Sequence, residues 1–199
     1  MHSDHLIIFI KNPIRGKVKT RLAADIGAEK ALDVYLQLVE LTRKAALGVN
    51  CTRNVFYSES MDNDSWDEDR FNKFVQQGES LGERMKNAFD QVFALGAQKA
   101  VIIGSDCPEL SSEIVADAFQ VLDSKDVCIG PALDGGYYLI GMKRPLPFIF
   151  ENKTWSTDSV LGATTQDLDS NKLNYGFLKP LSDLDTIDDL KRSNLSRYQ

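Results

Sequence analysis

Five cations fall within residues 11–21: Lys11, Arg15, Lys17, Lys19 and Arg21, gathered around Gly16. Arginine offers a planar fork to phosphate oxygens and lysine a mobile point charge, so this density suits a polyphosphate. Gly16 would let the backbone approach such a ligand closely. The same residues would equally make a solvated basic loop, and spacing alone leaves both readings open. The order Gly-x-x-x-x-Gly-Lys-Ser/Thr is absent, so the segment is not a Walker P-loop.

Two further clusters carry carboxylates. In Gly104-Ser105-Asp106-Cys107-Pro108, a proline that fixes the turn places Asp106 to hold a hard cation such as Mg2+ through oxygen, or to cap the turn or the next helix. In Ser182-Asp183-Leu184-Asp185-Thr186, Asp185 would supply a second anionic ligand, or simply begin a helix. Two carboxylates from distant loops meeting at one Mg2+ or Mn2+, with phosphates completing the shell, suit nucleotide chemistry. A fourth cluster is Gly130-Pro131-Ala132-Leu133-Asp134-Gly135-Gly136-Tyr137-Tyr138. Its Asp-Gly step is a strong hairpin signal. Alternatively Gly135 and Gly136 clear room for a substrate touched by Asp134 or Tyr137. Trp155, Tyr137 and Tyr138 are candidates for an acceptor pocket, though aromatic residues near strand ends also serve as core.

The elements around these clusters read as alternating strands and helices. Residues 6–10 are continuous and apolar, the pattern of a strand covered on both faces. A helix is expected over 28–47, with Leu32, Leu36, Val39, Arg43 and Ala46 on one face and Gly48 as its stop. A strand at 53–57 precedes an acidic, solvated loop at 59–69. Ser80-Leu81-Gly82-Glu83 fits a capping box opening a helix to about residue 95. Residues 100–104 form another buried strand, followed by a helix from Ser111 or Ser112. Strands at 127–131 and 137–142 flank the glycine turn. A helix near Thr157, a strand at 175–178 and a capping box of Thr186 with Asp189 complete the chain. Alternation of this kind implies one α/β domain, a three-layer α/β/α sandwich with a Rossmann-like, mostly parallel sheet. Ligands then sit beyond the carboxyl ends of the strands, where all four clusters fall.

Composition narrows the partners. With 199 residues, 43% of them hydrophobic, the chain can build one sizeable core. A formal net charge of -6 argues against nucleic-acid binding, which depends on neutralising phosphates. Cys51, Cys107 and Cys128 are odd in number and lack Cys-x-x-Cys spacing, so free thiols are expected rather than a disulfide framework or zinc site. No apolar run approaches a membrane span, and the N-terminus lacks the order of a signal peptide, so a cytoplasmic location is expected. Hydrolysis through a nucleophilic Cys107 is a weak alternative, because His2 and His5 are the only histidines.

Residues 11–22, Gln77-Gly78 with Leu81-Gly82-Glu83-Arg84-Met85, residues 104–108, residues 130–141, Trp155-Ser156-Thr157 and Asp185-Thr186 together resemble a bacterial family of glycosyltransferase-like proteins. Some of its members are associated with arsenosugar biosynthesis, and the likeness runs over almost the whole chain. The family belongs to the nucleotide-diphospho-sugar transferase superfamily, with phospholactate guanylyltransferase and the cytidylyltransferase for KDO among its relatives. The resemblance implies a glycosyltransferase A-type fold, nucleotide phosphates on Lys11, Lys17, Lys19 and Arg21, and Mg2+ on Asp106 and Asp185. It also implies base and ribose contacts at Gln77 and Gly82. Gly16 and Ser105 join this nucleotide set. Asp134, Gly135, Gly136, Tyr137 and Trp155 form the substrate set, with Lys19, Arg21 and Asp134 as the groups expected to act in the chemistry. The chain departs from nucleotide-sugar transferases in having Ser105-Asp106-Cys107 in place of Asp-x-Asp. It also lacks the Gly-x-Gly-x-Arg start of sugar-nucleotide pyrophosphorylases. The expected function is metal-dependent transfer from a nucleotide to a small acceptor, as a glycosyl or a nucleotidyl group. A non-catalytic nucleotide- or sugar-binding protein of the same fold is the alternative.

Overall fold

The computed structural model describes residues 3–61 and 64–195. Seven strands form one sheet: β1 (Asp4–Ile10), β2 (Thr52–Tyr57), β3 (Asn72–Val75), β4 (Lys99–Ile103), β5 (Val127–Pro131), β6 (Tyr137–Met142) and β7 (Tyr175–Phe177). Their order is β3-β2-β1-β4-β6-β5-β7. Every neighbouring pair is parallel except the two that β6 makes, with β4 and β5. β6 runs backwards because the glycine turn returns the chain directly, whereas the parallel pairs need crossover connections. The hairpin and substrate readings of residues 130–138 are therefore compatible. The turn is a hairpin, and it lies at the carboxyl end of β5, level with the ends of β1 and β4.

The helices among the described residues are α1 (Thr20–Ile26), α2 (Ala28–Leu47), α3 (Leu81–Ala94), α4 (Ser112–Ser124), α5 (Val160–Ser170) and α6 (Ile187–Arg192), with a 3-10 turn at Pro147–Phe150. Alternate residues of β1 sort the helices into two layers. Leu6, Ile8 and Ile10 pack with Ala45, Ala46, Val115 and Leu122 of α2 and α4. Ile7 packs instead with Met85, Phe89, Phe150 and Leu168 of α3, the 3-10 turn and α5. A period of two in the strand thus yields three layers. Among the described residues, no helix is long and apolar enough to cross a membrane.

Several local expectations are corrected. α2 buries Ala31, Val34, Tyr35, Leu38, Thr42, Ala45 and Ala46, a stripe rotated from the one expected, and Leu36 is 44% exposed. The true stripe is rich in alanine because α1, α4 and α6 approach α2 closely, so size misleads where spacing does not. Gly48 ends α2 with φ -75°, not in the left-handed region. A Cβ there would lie 2.6 Å from Ser112 Cβ, so close approach to α4 explains the glycine. Ser80 caps α3 by accepting from the Glu83 amide, but Glu83 Oε2 accepts from the Glu79 amide, one residue before the cap. The acidic loop is anchored: Trp66 is buried edge-on against Phe71, and Asp64 accepts from Tyr57 Oη at 2.8 Å and Lys73 Nζ at 3.1 Å. α5 begins at Val160 rather than near Thr157, after a turn in which Ser156 has φ 63°. The capping box of Thr186 and Asp189 opens α6.

Candidate functional site

Loops leaving β1, β4 and β5, together with the segments before α5 and α6, enclose a cavity of about 490 Å³. That volume lies in the range of small-molecule sites. Lys11, Lys17, Lys19 and Arg21 line it together with Asp106, Asp134, Asp183 and Asp185. Its lining also includes the apolar and aromatic residues Phe9, Leu81, Met85, Tyr137, Trp155 and Val160.

The basic loop is fastened from beneath. Tyr35, buried on α2, takes the Lys11 amide at 2.8 Å and returns its hydroxyl proton to the Lys11 carbonyl at 2.9 Å. The same hydroxyl lies 3.3 Å from Ser105 Oγ, tying the loop after β1 to the loop after β4. Burial, chiefly, pushes the Tyr35 phenol up to about 12, so it stays protonated. Asn12 adds a second fastening, its Oδ1 accepting from the Glu59 amide at 2.9 Å and its Nδ2 donating to the Ser60 carbonyl at 2.8 Å.

Lys19 sits at the centre. It is 7% exposed, and its Nζ lies 2.5 Å from Asp106 Oδ1 and 3.1 Å from Asp185 Oδ1. Burial alone would lower its pKa, but Asp106 and then Asp185 outweigh that and raise it. Arg21 approaches Asp185 Oδ2 at 3.8 Å from solvent, and exposed Lys17 pairs with Glu59 at 3.2 Å. The two carboxylate loops are stitched together by the Leu184 amide, which donates to the Asp106 carbonyl at 2.9 Å. Between them, Asp183 has its carboxyl pushed up to about 7, first by burial and then by the charges of Asp106 and Asp134.

In the turn after β5, Asp134 Oδ1 takes the Gly136 amide at 2.9 Å, closing the turn. Gly135 has φ 90°, and a Cβ there would lie 2.3 Å from the Asp158 carbonyl oxygen, so only glycine fits. Its carbonyl accepts from the Leu161 amide at 2.9 Å, docking the turn on α5. Tyr137 and Trp155 meet edge to face at 6.5 Å. The Tyr137 hydroxyl is buried beside Thr164, and Tyr137 lines the cavity.

Of the residues singled out in the sequence, the fold brings Lys11, Lys17, Lys19, Arg21, Ser105, Asp106, Asp134, Gly136, Tyr137, Trp155 and Asp185 to this cavity. Gly16, Gln77, Gly82 and Gly135 are not in its wall. Gly16 lies in the exposed tip of the loop. Gln77 is exposed, and the neighbouring Gln76 lines the cavity instead, its amide nitrogen donating to the carbonyls of Ile10 at 3.2 Å and Phe56 at 3.0 Å. Gly82 is buried beneath Trp155, where a Cβ would lie 2.6 Å from the indole nitrogen. Sequence reasoning missed Tyr35, Gln76 and Asp183. Tyr35 alone carried a signal, as the one hydroxyl-bearing aromatic in the α2 stripe. Cys107 is 3% exposed, and burial raises its thiol to about 12. His5 lies in β1 at the opposite end of the sheet and His2 lies outside the described residues, so no described histidine can activate Cys107.

The sheet order with its single reversed strand, and the charged cavity at the strand ends, define an α/β fold of the nucleotide-diphospho-sugar transferase type. The chain belongs to the family of uncharacterized proteins conserved in bacteria designated DUF2064, whose model matches residues 41–157. It is similar to a candidate nucleotide-diphospho-sugar transferase from Desulfovibrio desulfuricans G20, at 32% identity and TM-score 0.88, over 99% of this chain and 91% of that one. It shares its fold with the inositol-1-phosphate CTP transferase of T. maritima, at 11% identity and TM-score 0.61, over 98% and 93% of the two chains. The same holds for CMP:2-keto-3-deoxy-manno-octonic acid synthetase complexed with CTP, at 12% identity and TM-score 0.55, over 96% and 95%. No curated protein matches the sequence.

Proposed function

We propose that the protein is a metal-dependent transferase that takes a nucleotide substrate and passes one of its groups to a small acceptor. The observation that carries this reading is the convergence of Lys19, Asp106 and Asp185 beside Lys11, Lys17 and Arg21 at one cavity. Asp106, Asp134, Asp183 and Asp185 line the cavity together with Lys11, Lys17, Lys19 and Arg21, so the cations are already partly offset when a diphosphate or triphosphate arrives. A divalent cation would supply the further positive charge. The donor set fits one, since hard carboxylate oxygens from two loops already converge on a single cationic point. Among the described residues no three His, Cys, Asp or Glu side chains gather to hold a metal alone, so ligand phosphates would complete the shell.

Asp106 and Asp185 would hold Mg2+ or Mn2+, which when bound supplies charge to the departing phosphates. Lys11, Arg21 and Lys19 steady those phosphates. Trp155 and Tyr137 wall the acceptor side, while Asp134 offers its remaining carboxylate oxygen to an acceptor hydroxyl. Catalysis then rests on positioning and fixed charge rather than on a protein nucleophile.

Two groups could be transferred. The relative from D. desulfuricans, described as a candidate nucleotide-diphospho-sugar transferase, supports glycosyl transfer. The dense basic loop and the CTP-using proteins of the same fold support nucleotidyl transfer. Incubation with a panel of nucleotide sugars and nucleoside triphosphates, with Mn2+, separates them: nucleoside diphosphate release marks the first and pyrophosphate release the second. Tight metal-dependent binding without either product would leave a non-catalytic binding protein.

A further inference from the structure

Lys19 combines three properties that an ordinary phosphate-binding lysine does not need. Its backbone is left-handed, with φ 47° and ψ 46°, at the residue preceding α1. A non-glycine residue there is held against a steric preference, and such positions cluster where function demands a particular side-chain direction. Its side chain is 3% exposed, whereas those of its partners Asp106 and Asp185 are 39% and 45% exposed. Its ammonium also occupies the point where the two carboxylates converge, which is where a shared cation would sit.

We infer that Lys19 is a tethered counter-cation for Asp106 and Asp185, leaving them for the nucleotide phosphates when a divalent cation binds. The inference rests on the metal-dependent reading above. Without ligand, the buried ammonium keeps two carboxylates from repelling each other and stops the pair from collecting metal in the absence of substrate. With a metal–nucleotide complex, the carboxylates exchange one cation for another, and the freed ammonium meets the phosphate charge that arrives. The two carboxylates thus keep a cation beside them before and after binding, and metal and nucleotide are taken up together.

The test is Mn2+ binding followed by electron paramagnetic resonance on the nucleotide-free protein. Lys19→Met, with folding checked by circular dichroism, is expected to bind Mn2+ about tenfold or more tightly than wild type, because a competing charge at ion-pair distance is gone. Lys19→Arg, which keeps the charge, is expected to show no such gain. Asp106→Asn added to Lys19→Met is expected to abolish the gain. Equal or weaker Mn2+ binding by Lys19→Met, where Asp106→Asn still removes binding, would overturn the inference and leave the metal reading standing. Absence of Mn2+ binding in every form, with and without nucleotide, would overturn both. Should Lys19→Met fail to fold, the wild type carries the test by NMR of its lysine ammonium groups. The Lys19 signal should shift as Mg2+ and a nucleoside diphosphate saturate the site together, and a signal unchanged at saturation would refute the exchange.

Discussion

Lys11 and Tyr35 exchange two hydrogen bonds, the Lys11 amide donating to the phenol oxygen at 2.8 Å and the phenol donating to the Lys11 carbonyl at 2.9 Å. One side chain of α2 therefore satisfies both backbone groups of the residue that starts the basic loop. Removing the hydroxyl leaves a partly buried amide without its partner, a loss of about 1–3 kcal/mol. Tyr35→Phe should lower the urea midpoint accordingly. It should also weaken binding of nucleoside diphosphates more than of bare nucleosides. Equal weakening of both would place the effect in the fold as a whole.

Gly135 is held by two constraints at once, a φ of 90° and the Asp158 carbonyl oxygen 2.3 Å from where a Cβ would stand. Gly135→Ala should cost about 2–4 kcal/mol in stability and push the turn away from Asp158. Gly162 provides the control, since no atom lies within 4 Å of its Cβ position and it sits inside α5. Gly162→Ala should be neutral or stabilising by up to about 1 kcal/mol. Thermal melts of the two variants side by side check the contrast.

Asp183 gives the protein a pH signature. Its carboxyl is raised to about 7 in the fold, against about 3.9 in an unfolded chain. Because the folded state holds this proton more tightly, Asp183 opposes folding increasingly as pH rises from about 4, with the full penalty present above about 7. In chelator, Asp183→Asn should match wild type near pH 4 and exceed it at pH 8, by up to about 4 kcal/mol. Identical stability profiles from pH 4 to 8 would show that Asp183 is not buried among like charges.

Cys51, Cys107 and Cys128 are all buried, with thiols that burial raises to about 11, 12 and 12 respectively. Thiolate is the reactive form, so none should react with a thiol reagent until the protein unfolds. Cys107→Ala should retain transferase activity. Loss of turnover with folding intact would revive the nucleophilic reading.

The strands were legible as apolar runs with clear ends: residues 6–10 stop at Lys11, residues 100–104 end in Gly104 and residues 127–131 in Pro131. Their alternation with helical periods was enough to imply a mostly parallel sheet, and hence to send attention to the strand ends. Short elements without such runs stayed hidden: β3 offers four residues, α1 seven with one buried side chain, and the 3-10 turn four. Within the site, clusters of charge were visible as clusters, but their partners were not. Nothing local to residues 11–21 says that Lys19 turns inward through a left-handed backbone while Lys17 points outward to Glu59. Nor does any local signal link Tyr35 to Ser105, 70 residues away. One-residue errors of side arose where a strand ends, as at Gln76 and Gln77, because alternate side chains face opposite ways there.

Nucleotide phosphates held at this cavity through a metal on Asp106 and Asp185 should register in thermal shift with nucleoside triphosphates, nucleoside diphosphates and nucleotide sugars, each with Mg2+, Mn2+ or chelator. At about a hundredfold excess over Kd, a ligand that binds only the folded state adds about 2.7 kcal/mol, which reads as a rise of several degrees. At least one nucleotide should produce that rise with wild-type protein in the presence of metal, and lose it with chelator or with Asp106→Asn. If no nucleotide raises the melting temperature with either metal, or if a bare nucleoside does so equally well in chelator, the site is not a metal–nucleotide site.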